Sequence, residues 1–247
     1  MKKLVDCHKK LNLILELVNE KDFLTNIAFD SVVFGFSEGS LKILIMEYHN
    51  TGFFALPGGF VHRDENLNDA VRRGLKERTG LDNIYLEQFY TFGDTARSQP
   101  EIMQTILESS GYSLEQYAWL LDRFISVAYY ALINYKDVVP QPDALSDSCE
   151  WYDIDALPPL IFDHADIVAK ALQTLRDNLD RKLEGMNLLP PRFTMNELQK
   201  VYEVILGEKI RRTTFQRKML SLGILKRHEK QYLGKAHKAP FLYSFEV

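Results

Sequence analysis

The sequence predicts an α/β body, a mixed sheet between helices, followed by a C-terminal winged helix-turn-helix domain. Three observations predict it. Short β-branched and aromatic runs alternate with helical periodicity over residues 25–180. Asn187-Leu188-Leu189-Pro190-Pro191 then interrupts the chain, because Pro-Pro cannot continue a helix. Two short helical patterns and a basic hairpin pattern follow. The 247 residues suit one large or two small domains.

Taken in order, residues 3–19 place Leu4, Cys7, Leu11, Ile14 and Val18 on one side of a helix. This stretch lacks a small-residue cleavage site and runs into Asn19-Glu20-Lys21-Asp22, so it does not read as a signal peptide. Strands are expected at 31–36 and 41–46 around the turn Ser37-Glu38-Gly39. Residues 54–60 lead into a helix on which Leu67, Ala70, Val71, Gly74 and Arg78 share one side. Residues 98–121 read as an insertion, with one helix over 101–108 and a second over about 113–124 capped by Ser113. Ser126–Ile133 reads as a buried strand, and a helix over 165–179 follows Phe162-Asp163-His164.

The tail carries its own signals. Thr194 caps a helix, Glu197 completes a capping box, and Phe193 can staple to Leu198. Leu198, Val201, Tyr202 and Ile205 follow core spacing, and Gly207 stops the helix. A second helix is expected from Thr213, with Gln216 at the capping-box position, Phe215, Met219 and Leu222 inward, and Gly223 at its end. Its other side centres on Arg217. Strands at 224–229 and 241–246, with Gly234-Lys235-Ala236-His237-Lys238 between them, make a basic wing. This suits a recognition helix in a major groove, where Arg donates bidentately to guanine and Thr or Gln reads base edges. Arg211, Arg212, Thr213, Thr214, Gln216, Arg217, Lys218, Ser221, Lys235 and Lys238 are the DNA-binding candidates.

Charge supports that reading. Residues 181–247 hold 14 Lys or Arg and 6 Asp or Glu, net +8, whereas residues 1–180 hold 16 and 28, net −12. A basic tail on an acidic body points to a polyanion. No apolar run nears the roughly 20 residues that span a bilayer. Two cysteines, Cys7 and Cys149, build neither a disulfide framework nor a zinc site and suit a reducing cytoplasm.

The most informative stretch begins at Gly59. Glu65 follows six residues on, Arg73 eight further, and the helix ends at Thr79-Gly80-Leu81. This frame resembles the Nudix box. In that family the Arg is followed at once by Glu, and two more Glu complete an i, i+3, i+4 set on one helix face. Together they hold Mg²⁺, which clamps a diphosphate and activates water. Here those places read Gly74, Glu77 and Arg78. Gly74 supplies no ligand, and Arg78 puts a permanent positive charge where the metal should sit. Hydrolysis therefore reads as lost or severely impaired, with no catalytic residue, metal or cofactor assigned.

The two halves together resemble the Nudix-related transcription regulators, a degenerate Nudix domain fused to a winged helix. The resemblance rests on Pro57-Gly58-Gly59-Phe60-Val61, the decayed box, 127–132, Phe162-Asp163-His164 and the helix signals from Phe193 to Phe215. It implies an N-terminal helix over 1–24, a Nudix sandwich over 25–180 and a winged helix over 186–247. It further implies a cytoplasmic homodimer on a double-stranded DNA operator, with a small effector, either a pentose such as arabinose or an ADP-ribose-like nucleotide. The missing carboxylates lean toward the sugar. Phe60, Glu65, Arg73, Glu77, Arg78, Asp94 and Arg97 are the effector-binding candidates, with ion pairing of Arg78 to Glu65 or Glu77 as the structural alternative. His164 reads as structural. The competing functions are a Nudix hydrolase with residual Mg²⁺-dependent activity on a nucleoside diphosphate derivative, and a protein-interaction scaffold that binds no DNA.

Overall fold

The computed structural model describes residues 20–37, 39–82, 84–135, 138–182, 189–231 and 239–246. The expected N-terminal helix, Cys7, the Asn187-Leu188 part of the linker, and the wing tip with Lys235 and Lys238 lie outside them.

The body is one sheet with helices on both faces. Its strands are β1 (Phe23–Ser37), β2 (Ser40–Tyr48), β3 (Phe54–Ala55), β4 (Gly58–His62), β5 (Tyr85–Phe92), β6 (Ile125–Asn134) and β7 (Ser146–Asp153). They run in the order β3-β2-β1-β6-β5, with β4 also paired to β1 and β7 to β2. β1 and β6 are parallel and the other pairs antiparallel, so the sheet is mixed. β1 begins at Phe23, so Phe23 and Leu24, assigned from sequence to the N-terminal segment, belong to the sheet.

Central strands are apolar on both faces, as a sheet covered on both sides requires. Val32, Phe34, Ile43, Ile45, Tyr130 and Leu132 face one layer; Val33, Leu44, Met46, Tyr129 and Ala131 face the other. Helix α1 (Leu67–Thr79) lays Ala70, Val71 and Leu75 on the second face and ends at Gly80, whose φ of 73° suits the left-handed cap. Helix α3 (His164–Lys182) lays Ile167, Ala171, Leu175 and Leu179 on the first.

The insertion departs from expectation. Helix α2 (Pro100–Ser109) forms, but the second helix does not; a single 3-10 turn, Ala118–Leu121, stands in its place. Tertiary packing overrides the local helical spacing here. Tyr117, Trp119 and Leu120 bury themselves against Phe23, Phe60 and Phe124, and the chain extends at Asp122 to enter β6.

The tail contains β8 (Phe193–Thr194), helix α4 (Met195–Leu206), helix α5 (Arg212–Ser221), β9 (Leu225–Lys230) and β10 (Phe241–Phe245). Its sheet runs β8-β10-β9. The Thr194/Glu197 capping box is present on α4, and Gly207 adopts φ 74° at its end. Helix α5, however, starts at Arg212 with Arg211 at the cap, so Thr213 lies within the first turn and its expected capping box does not form. Burial of Phe215 and Met219 fixes the phase of α5, while Leu222 stays 38% exposed instead of lining the core.

The two domains share one core. Phe193, Leu198, Val201, Tyr202, Ile205, Phe215 and Met219 belong to the same buried cluster as the first sheet face and α3. Polar contacts finish the joint: Arg176 Nε donates to the Ile205 carbonyl at 2.8 Å, and the Tyr202 hydroxyl donates to Asp180 at 3.0 Å.

Candidate functional site

A cavity of about 690 Å³ opens between α1, the β1/β4 end of the sheet, the insertion and the first turn of α3. Its volume lies in the range of small-molecule and cofactor sites. One wall is aromatic: Phe60 packs on Phe124 at 5.3 Å between ring centroids and on Trp119 at 5.0 Å. Residues 98–121, expected as an insertion, add Met103, Leu120 and Leu121 to that wall.

The floor is a buried ionic network built around Arg97, whose side chain is 9% exposed. Its Nε and Nη2 donate to the two oxygens of Asp163 at 2.9 and 3.2 Å. Nη2 also reaches Asp30 at 3.3 Å, and Nη1 donates to the Phe124 carbonyl at 2.6 Å. Asp30 in turn accepts from the Ser126 hydroxyl at 2.6 Å. His164 sits beside this network. The Leu56 N–H donates to its Nδ1 at 2.9 Å, which makes Nδ1 the unprotonated nitrogen and leaves the proton on Nε2, 3.6 Å from Asp30. Burial depresses the His164 pKa despite the neighbouring carboxylates, so the ring is neutral.

The box residues have been rewired. Arg73 donates to Glu65 through Nη2 at 2.7 Å and Nε at 3.2 Å, and to the Phe60 carbonyl at 3.0 Å. Partial burial works against the Glu65 charge, but Arg73 and the His62 N–H outweigh it and hold the carboxyl below its ordinary range. Arg78 pairs with neither Glu65 nor, closely, Glu77. Its Nη2 donates to Asp143 at 2.8 Å, and Glu77 lies 3.7 Å from Nη1. At Gly74 a Cβ would stand 2.9 Å from the Phe29 ring, and at Gly59 another would stand 2.8 Å from the same ring. Phe29 therefore fills the space from which a carboxylate at position 74 would project.

Of the effector candidates, Phe60, Arg73, Glu77, Arg78 and Arg97 line the cavity. Glu65 stands behind Arg73, and Asp94 is exposed, capping the 3-10 turn Thr95–Arg97 by accepting from the Ala96 N–H. Sequence reasoning missed Asp30, Asp143 and Phe124. Asp143 is 65 residues from Arg78, Asp30 is 67 from Arg97, and nothing local in the sequence announces either pairing.

On the tail, Arg211, Arg212, Thr213, Thr214, Arg217 and Ser221 are exposed and Gln216 half-buried along α5. Lys218 is also exposed, yet its ammonium is held 2.7 Å from Asp180 and lies 5.5 Å from the Tyr202 ring centre. The turn into α5 is built on Glu203, which accepts from the Ile210 N–H at 3.0 Å, Gln199 at 2.9 Å and Lys209 at 3.1 Å. On the wing, the Arg227 guanidinium lies 4.7 Å over the Phe241 ring.

Comparison with known proteins matches residues 25–174 to the NUDIX domain and residues 185–245 to the NrtR DNA-binding winged helix domain. The chain is 32% identical over 225 residues to the ADPR responsive transcriptional repressor NtrR of Acinetobacter baylyi, covering 88% of this chain and 81% of that protein. The chain belongs to the Nudix-related transcription regulators. Within that family, the crystal structure of Shewanella oneidensis NrtR complexed with a 27mer DNA superposes with a TM-score of 0.66 at 26% identity, over 90% of this chain and 94% of that one. The chain is also 29% identical over 145 residues to the ADP-ribose pyrophosphatase of Methanocaldococcus jannaschii, covering 58% of this chain and 70% of that protein.

In this Nudix-related regulator the residues present do not fit the divalent metal of the hydrolases. Gly74 offers no ligand and is packed against Phe29, Arg78 is a cation, and Glu77 alone remains. Among the described residues no group of three or more His, Cys, Asp or Glu converges on a metal position. Among them, too, no helix is long and apolar enough to cross a membrane.

Proposed function

We propose that this protein is a DNA-binding transcriptional repressor whose Nudix domain binds ADP-ribose, or a close nucleotide relative, without hydrolysing it. The observation that carries this reading is the pairing of an intact, cofactor-sized cavity with a box whose carboxylate positions are taken by Gly74 against Phe29 and by Arg78 against Asp143. Binding is retained in such a site while the metal-dependent step is left with Glu77 alone of the three box carboxylates. The ADP-ribose response of the Acinetobacter relative supports that ligand over a pentose, which would leave most of the cavity to solvent. The exposed Arg217 face of α5 supports readout of an operator in the cytoplasm, and two-fold operator logic supports a homodimer.

Signal transfer runs through α3. Its first residue, His164, lines the cavity, the adjoining Asp163 holds the cavity's Arg97, and its last turn holds α5 through Asp180 and Lys218. Movement at the cavity thus reaches the DNA-facing helix through one rigid element.

The test is fluorescence anisotropy with DNA from upstream of the protein's own gene against a scrambled duplex, titrated with ADP-ribose and with pentoses. The expected result is specific binding released by ADP-ribose, no hydrolysis product in Mg²⁺, and at least about fivefold weaker operator binding by Arg217→Ala, the cost of one bidentate base contact of about 1–3 kcal/mol. Equal affinity for both duplexes at low salt sinks the regulator reading. Release by pentoses alone reassigns the effector.

A further inference from the structure

We infer that Arg78 takes over the metal's place as the grip on the effector's diphosphate, so that the cavity holds a nucleoside diphosphate with no divalent cation. This deepens the effector reading above and rests on it.

Position comes first. Arg78 occupies the last carboxylate place of the box, lines the cavity and is 11% exposed. The Met46 sulfur lies against it, and the same cavity is lined by the apolar side chains Phe29 and Leu56. A diphosphate brought against such a wall needs a partner cation, because burying unpaired charge is expensive. Guanidinium is always charged, and its planar fork matches phosphate oxygens.

Preorganisation comes second. Asp143 holds Nη2 at 2.8 Å, the Met46 sulfur lies 3.4 Å from Nε, and the Arg78 carbonyl accepts from the Gln141 N–H at 2.9 Å. The segment carrying Gln141 and Asp143 therefore fixes both ends of the residue. Among the described residues Nη1 is the nitrogen left without a hydrogen bond. Its described carboxylate neighbour is Glu77 at 3.7 Å, beyond hydrogen-bond reach, and the Glu77 side chain is 51% exposed and able to turn outward.

The other two cavity arginines are placed differently. Arg97 is engaged through all three nitrogens by Asp163, Asp30 and the Phe124 carbonyl, and freeing it breaks several bonds. Arg73 is held through Nε and Nη2 by Glu65 and the Phe60 carbonyl, with Nη1 3.6 Å from Glu77, but at 35% exposure it stands closer to solvent than Arg78 at 11%. A phosphate oxygen reaches the more enclosed Arg78 Nη1 at the expense of one long contact. The same guanidinium repels a divalent cation, so added metal should not tighten the ligand.

The experiment is titration calorimetry of the full chain with ADP-ribose, ADP and adenosine, in EDTA and in MgCl₂. Expected are ADP-ribose affinities within twofold of each other in the two buffers, ADP binding at least tenfold tighter than adenosine in EDTA, and at least tenfold loss of diphosphate affinity in Arg78→Gln. The comparison of ADP with adenosine uses the unaltered protein and decides the matter even where the variant fails to fold. Binding that needs Mg²⁺, parity of ADP with adenosine, or unchanged affinity in Arg78→Gln overturns the grip and leaves the effector reading standing. ADP held in EDTA through Arg78 while ADP-ribose is refused keeps the grip and removes ADP-ribose as effector. Refusal of every diphosphate in both buffers overturns the grip.

Discussion

Asp180 Oδ2 lies 2.7 Å from Lys218 Nζ, joining the last turn of α3 to the exposed helix α5, while Asp180 Oδ1 accepts the Tyr202 hydroxyl at 3.0 Å. Lys218, which its position in the sequence marks for DNA, is thereby committed to the body. The two side chains are 46% and 41% exposed, so solvent screens the pair and its loss costs under about 1 kcal/mol of stability. Asp180→Asn should therefore melt within a few degrees of the parent yet weaken the effect of ADP-ribose on operator affinity. Equal ligand release in parent and variant would remove the pair from the relay.

Arg97→Ala should be among the most damaging single changes in the body. It strands Asp30 and Asp163, whose side chains are 11% and 16% exposed, without their cation. Removing one partner of a buried pair costs about 3–5 kcal/mol. Denaturant unfolding reads this directly; a loss under about 1 kcal/mol, the level of a surface pair, would contradict the network.

Gly74→Ala tests the packing of the box helix. A mid-helix Gly→Ala change ordinarily gains about 1 kcal/mol. Here the new methyl group meets the ring of Phe29, which is 2% exposed and equally confined at Gly59. Overpacking of that kind costs about 1–3 kcal/mol, so the variant should be less stable than the parent, and Phe29→Leu should relieve it. A stabilised Gly74→Ala would show that the ring moves freely.

Glu203 supplies a pH signature. The Ile210 N–H, then Gln199 and Lys209, lower its pKa from 4.5 to about 2. As pH falls, the unfolded chain takes up this proton first, so the contribution of Glu203 is complete above 4.5 and disappears as pH falls through about 2. Glu203→Gln should be less stable than the parent at neutral pH, with the gap closing across that window. A gap independent of pH would assign the effect to shape instead of charge.

The sequence was legible where the information is local. Thr194 and Glu197 sit three residues apart and fold as the capping box their spacing implies. Ala70, Val71 and Gly74 are buried on α1 at helical spacing. Legibility failed where distant residues decide. The segment after Ser113 has helical spacing, but Trp119 is drawn onto Phe23 and Phe60, and one short turn results. Arg78 needed a carboxylate, and the nearest in sequence, Glu77, is the weaker partner; Asp143 arrives from the far side of β6. The shared core between the domains was equally invisible, since the amphipathic pattern of α4 says that a face is buried but not against which neighbour.

Phe29 is pressed against Gly74. A receptor that destroyed the molecule it reads would register flux through its own site, and its output would fade with each turnover. One that only holds the molecule registers standing concentration. With the ring in place, a carboxylate at position 74 demands simultaneous change at two positions far apart in the chain, so if the proposed non-hydrolysing reading holds, no single substitution at position 74 readily makes a consumer of the gauge.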